Sequence, residues 1–163
     1  MLIIAMCAAL ALAVAGCGDS DDSTSTQAAD ATTTEQSGGD ANLNAKPKVT
    51  VPSAPAPKKL EVTEIVEGDG DAAKAGDEVT VQYVGVGYDS KEEFDSSWSR
   101  NEPATFDLDE VIPGWNQGIA GMKVGGRREL TIPPNLAYGP TGSPPVIGPN
   151  ETLIFVVDLL AVK

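Results

Sequence analysis

VIPGWNQGIAGMKVGGRRELTIPPNLAYG, residues 111–139, is the stretch whose reading decides the fold. It begins with a short apolar run, Val111-Ile112, closed by Pro113-Gly114. A brief helical pattern follows from Trp115 to Met122, with Trp115, Ile119 and Met122 spaced to share one face. Gly125-Gly126 ends it, Arg128 to Ile132 alternates as a strand does, and Pro133-Pro134 breaks that strand into a loop. A helix this short, carrying Gly118 and Gly121, is not stable alone and must be held by packing on a sheet. Trp115 is therefore expected as a buried platform, although a lone tryptophan more commonly just fills a core.

Working outward, Glu61 to Val66 alternates polar and apolar residues and predicts a half-buried strand, followed by a turn at Gly68-Asp69-Gly70-Asp71. Asp69 and Asp71 hint at a calcium loop, but Ala72, Ala73 and Ala75 occupy the later ligand positions and no closing acid follows. Glu78 to Val86 predicts a second strand, with Val79, Val81, Tyr83 and Gly85 on one face and Thr80, Gln82 and Val84 on the other. Pairing resumes over Lys91 to Ser97; Thr105 to Leu108 predicts a short strand and Leu153 to Val162 a long closing one. Pro133 to Thr152 holds six prolines and three glycines, and its apolar Leu136, Tyr138, Val146 and Ile147 argue that it folds back over something. Strands in series with one short helix give an α+β domain.

The 111–139 stretch, preceded by VQYVGVGYDSKEEFDSS (81–97) and followed by ETLIFVVDLL (151–160), resembles the FKBP-type peptidyl-prolyl isomerases over roughly Leu60 to Lys163. The resemblance implies an antiparallel β-sheet wrapped around one short α-helix. It implies that Trp115 floors a pocket for the proline ring, with Tyr83, Phe94, Val111, Ile112 and Phe155 as walls. The Ile112 N–H would bond the substrate carbonyl, and the Tyr138 hydroxyl would reach the bound peptide. Asp95 would be the pocket carboxylate, bonded to Tyr83 and near Arg100, and Val146 and Ile147 would face the residue before proline. Two positions depart from the family pattern. Ala104 stands where a bulky aromatic commonly lines the pocket, implying a more open wall, and Ser143 stands where eukaryotic members often carry histidine. Both bear on binding of macrolides of the rapamycin or tacrolimus type. The Phe106–Val111 connection is also short for the family.

The chain has 163 residues, a formal net charge of -13 and no histidine. Such acidity excludes a nucleic-acid footprint, and the missing histidine removes the Ser-His and Cys-His nucleophile pairs and the usual zinc ligand sets. No metal or cofactor is expected. Residues 1–17 read as a signal peptide: an apolar run, then Val14-Ala15-Gly16-Cys17, which resembles the bacterial lipobox with Cys17 as the lipidated residue. An ordinary signal peptide or uncleaved anchor remains the alternative. Residues 18–57 read as a tether, rich first in Ser, Thr and Asp and then in Pro and Lys (KPKVTVPSAPAPKK, 46–59), extended and standing off from a surface. Residues 58–163 are the isomerase domain, expected as a monomer.

The reaction that the resemblance implies needs no acid, base or nucleophile. Its barrier, about 18–20 kcal/mol, is the amide resonance lost as the C–N bond twists. The sequence thus predicts an extracytoplasmic prolyl isomerase, membrane-anchored by lipid, acting on proline-containing segments of unfolded or exported proteins. The alternative is an FKBP-like module that binds such segments but catalyses weakly.

Overall fold

A computed structural model describes residues 42–163; the expected signal peptide, Cys17 and the tether as far as residue 41 lie outside the described residues. Six antiparallel strands make one sheet: β1 (Glu61–Val66), β2 (Glu78–Gly87), β3 (Glu93–Ser96), β4 (Ala104–Asp107), β5 (Arg127–Ile132) and β6 (Leu153–Val162). The order across the sheet is β1-β5-β6-β2-β3, and β4 also pairs with β2. β2 and β6 are the longest strands and pair with each other inside the sheet. β6 is apolar on both faces over Leu153–Val157, as a doubly covered strand is, whereas β2 is so only from Tyr83 onward, after Thr80 and Gln82. Val79, Val81 and Tyr83 of β2 enter the main core with Leu153, Phe155, Val157 and Leu159 of β6, as the predicted facing of β2 requires.

Two helices lie against this sheet. α1 (Ser97–Arg100) is a single turn; the pairing expected over Lys91 to Ser97 stops at Ser96, and Ser97 begins this turn. Its Ser96 side chain accepts from the Ser99 N–H, and Asn101 closes it in the left-handed region, φ 53°. α2 (Pro113–Ile119) starts with proline at its first position, where no N–H is missed, and seats Trp115 and Ile119 in the core. Its glycines explain the seating. A Cβ on Gly114 would lie 2.3 Å from Ile132 Cγ2, and one on Gly118 would lie 2.7 Å from Leu130 Cδ2. Gly114 and Gly118 are one helical turn apart, and Leu130 and Ile132 are alternate residues of β5. The helix can therefore approach the strand more closely than any Cβ-bearing helix could. What makes α2 weak in isolation is what lets it dock.

The long loop is ordered. A 3-10 turn at Pro134–Leu136 opens it, Ser143 and Ile147 exchange backbone hydrogen bonds, and the Asn150 N–H returns to the Gly139 carbonyl at 3.0 Å. Leu136 packs on the core and Ile147 is buried in it, so the loop does fold back; Val146 points outward at 61% exposure.

The described part of the expected tether does not stand off. Residues 42–57 form neither helix nor strand, but Pro47 is buried. The Arg127 Nη2 donates to the Ala45 carbonyl at 3.1 Å, and the Tyr88 hydroxyl donates to the Ala54 carbonyl at 3.1 Å. Proline richness sets an extended conformation, while the contacts set where that extended segment lies.

Candidate active site

Trp115 sits at the bottom of a cavity of about 350 Å³, 3% exposed, with three rings standing edge-on around it. Tyr83 is 5.4 Å away at 85°, Phe106 5.4 Å at 84° and Phe155 5.2 Å at 87°. Edge-to-face contact suits the ring quadrupoles, the positive edges of the walls pointing at the negative face of the indole or the reverse. Phe94 extends the wall, packing edge-on to Phe155 at 5.5 Å. Gly85 makes room for that pair, since a Cβ there would lie 2.7 Å from Phe94 and 2.8 Å from Phe155. Val111 and Ile112, at the entry to α2, complete the apolar rim, and Tyr138 reaches it from the long loop.

Phe94 and Asp95 both line the cavity although they are neighbours on a strand, where successive side chains normally face opposite ways. The register shows how. Gly85 pairs with Asp95 and Val86 with Glu93, so Phe94 is the extra residue of a bulge in β3. A bulge re-aims side chains in this way.

Asp95 is the hub of the polar side. It accepts from the Tyr83 hydroxyl and from Arg100 Nη1, and from the Ser96 N–H at 2.8 Å. Arg100 Nη2 also donates to the Tyr83 oxygen at 2.9 Å, with the guanidinium 5.7 Å from the Tyr83 ring centre. Burial pushes the Asp95 carboxyl up, but the bonds from Tyr83 and Arg100 and the Arg100 charge together outweigh it, and its pKa lies below the ordinary value. Burial, and then the bond to Asp95, push the Tyr83 phenol above its ordinary pKa. At neutral pH Asp95 is thus a fixed anion and Tyr83 a fixed neutral donor.

The structure brings Tyr83, Phe94, Asp95, Val111, Ile112, Trp115, Tyr138 and Phe155 to one cavity. Arg100 stands behind it, holding Asp95 and Tyr83. Val146 and Ile147 do not line it: the first faces outward and the second is committed to the core, because the return of the loop turns one out and the other in. Two lining residues, Phe106 and Glu110, were not among the sequence candidates. Phe106 pairs with Val79 and Ala104 with Val81, which places both on the core-facing side of β4. Phe106, two residues on from Ala104, lines the cavity, and Ala104 does not. Alternation along 104–107 carried that signal. Glu110 had none, being one acid among several. Among the described residues no group of acids, histidines or cysteines could hold a metal ion.

A family model described as FKBP-type peptidyl-prolyl cis-trans isomerase matches residues 70–160. The chain is 51% identical over 114 residues to a "Probable FK506-binding protein" of Corynebacterium glutamicum, covering 69% of this chain and 95% of that protein. It is 54% identical over 117 residues to an "FK506-binding protein" of Streptomyces anulatus, covering 70% and 94%. The crystal structure of FkpA from Escherichia coli matches with a TM-score of 0.60 at 46% identity, over 68% of this chain and 53% of that one.

Proposed function

The chain belongs to the FKBP-type peptidyl-prolyl cis-trans isomerases and is an enzyme of that class; from that premise we propose that it catalyses by desolvating and twisting the X-Pro amide. The observation that carries this is the Trp115 floor ringed by Tyr83, Phe106 and Phe155, an apolar cavity whose polar groups are fixed and not poised to exchange protons. Water favours the planar, charge-separated amide. A proline ring seated on the indole leaves water behind, which weakens that preference and binds the twisted amide better than the planar one. The Ile112 N–H, at the rim, bonds the substrate carbonyl; the Tyr138 hydroxyl holds the peptide beyond the proline. Asp95, kept ionised by Tyr83 and Arg100, holds the Tyr83 ring in place as wall.

The substrates are proline-containing segments of unfolded exported proteins, and the enzyme is anchored on the extracytoplasmic side of a membrane by lipid on Cys17, acting as a monomer. Support comes from the apolar leader closed by Val14-Ala15-Gly16-Cys17. The family fits macrolide binding in general, and the naming of two relatives as FK506-binding proteins supports the same for this pocket. The deciding experiment is an isomerisation assay on a Leu-Pro peptide with the uncatalysed rate subtracted. Acceleration lost in Trp115→Leu is the expected result; binding of the peptide without acceleration in the unaltered protein leaves only a proline-binding module. For the anchor, Cys17→Ser is expected to move the protein out of the membrane fraction, and a lipidated species persisting in that variant refutes the assignment.

A further inference from the structure

The sheet has a second buried face that the pocket does not account for. Val84, Val86, Ile154 and Val156 are buried, yet none belongs to the core around Trp115. Register explains their company. Val156 pairs with Val84 on one side and Glu129 on the other; Ile154 pairs with Val86 and Thr131; Asp158 pairs with Gln82 and Arg127. Residues opposite one another in an antiparallel sheet share a face. These side chains therefore form one patch on the outer surface of β5, β6 and β2, apolar in the middle, with the ion pair of Arg127 and Asp158 at one end.

A single sheet with helix α2 on its inner side leaves that outer patch in water unless something lies over it. Residues 42–57 touch its borders at three points. The Ala45 carbonyl accepts from Arg127, at the charged end. Lys46 Nζ bridges Glu93 and Ser99, at 2.8 and 3.0 Å, on the β3–α1 side. The Ala54 carbonyl accepts from Tyr88, just past the end of β2. Between them Pro47 is buried and Val49 and Val51 are partly so. The Lys46 contacts are exposed and contribute little. The Arg127 contact is of another kind, because a guanidinium that is fully buried must find acceptors for its donors.

We propose that residues 42–57 are a strap, an integral layer of the isomerase domain that seals the outer face of its sheet, and not part of a free linker. The family match begins only at residue 70, so the strap lies wholly outside it. A chain beginning at the family boundary would present Val84, Val86, Ile154 and Val156 to solvent as one apolar patch.

Native-state proteolysis of the full chain by trypsin tests this, since Lys48-Val49 is a cleavable bond in the middle of the strap. The reference is a synthetic peptide of residues 42–60. A docked strap must open before it is cut, so cleavage after Lys48 is expected about 100-fold slower in the protein than in the peptide. The double variant Pro47→Gly with Tyr88→Phe is expected to lose at least about ten-fold of that protection and to bind an apolar dye at the uncovered face. Cleavage of the unaltered protein at the peptide rate overturns the proposal whatever the variant does. Protection that rises with protein concentration also overturns it, because a second copy would then be the cover. Undiminished protection in the double variant overturns the assignment of these contacts as what holds the strap.

Discussion

Gly114→Ala is the substitution for which helix propensity and packing give opposite answers. Propensity alone favours alanine by about 1 kcal/mol in a helix interior, and by less in a first turn such as this. Packing opposes it. The new methyl would lie 2.3 Å from Ile132 Cγ2, 2.9 Å from Cδ1 and 3.1 Å from Cγ1. Ile132 is fully buried, and its branched side chain is stiff about χ1, so it cannot swing clear. Overpacking of a dense core costs typically about 1–3 kcal/mol. The clash outweighs the propensity, and net destabilisation of about 1–2 kcal/mol is expected. For a domain of this size that lowers Tm by about 4–12 °C. Relief comes by α2 lifting from β5, which moves Trp115, the next residue, relative to Tyr83, Phe106 and Phe155. Isomerase kcat/KM at a temperature where the variant is fully folded is therefore expected to fall as well. Thermal unfolding and the Leu-Pro assay measure the two effects. The added variant Ile132→Ala supplies the control: in a double-mutant cycle the pair should be less damaging than the sum of the single changes, by about 0.5–3 kcal/mol. A Gly114→Ala protein as stable and as active as the parent refutes the close-approach account of how α2 is seated.

Trp115→Leu should keep the fold while weakening proline-peptide binding and turnover, whereas Trp115→Ala should also cost about 3–5 kcal/mol of stability in urea unfolding. Asp158→Asn should cost about 3–5 kcal/mol, because it takes the counter-charge from Arg127, whose side chain is 0% exposed against 2% for Asp158. The paired replacement Arg127→Met with Asp158→Leu should recover most of that loss, read as the urea midpoint. With Asp95 held below its ordinary pKa, its bonds are intact above the unfolded carboxyl value of about 3.9 and are lost as pH falls through the lower folded value. kcat/KM on an uncharged peptide should therefore be flat from about pH 6 to 8, and a sigmoid centred near neutrality would contradict catalysis by desolvation. Leu-Pro peptides should turn over faster than Glu-Pro at low salt, since Asp95 and Glu110 both line the cavity. Glu110→Gln should narrow that gap, as should added salt.

The sequence by itself determined the elements whose signal is local. Alternation located β1 over Glu61–Val66, and Leu153–Val162 was legible as a long closing strand. The helix expected over Trp115 to Met122 runs over Pro113–Ile119 instead, so Trp115 and Ile119 share its buried face while Met122 reaches the core from the chain just beyond it. The absence of histidine already removed the Ser-His and Cys-His nucleophile pairs. Tertiary structure decided the rest, because each remaining feature depends on residues far apart in the chain. The bulge at Phe94 exists only against β2, and it is what lets Phe94 and Asp95 face the cavity together. Phe106 became a wall through its register with Val79, and Val146 and Ile147 were separated by the path of a loop whose prolines fix local angles but not the direction of return. KPKVTVPSAPAPKK carries no period, so nothing in it distinguishes a tether from a strap. That difference lies in the outer face of β2 and β6, whose Val84, Val86, Ile154 and Val156 become one apolar patch only when the two strands pair.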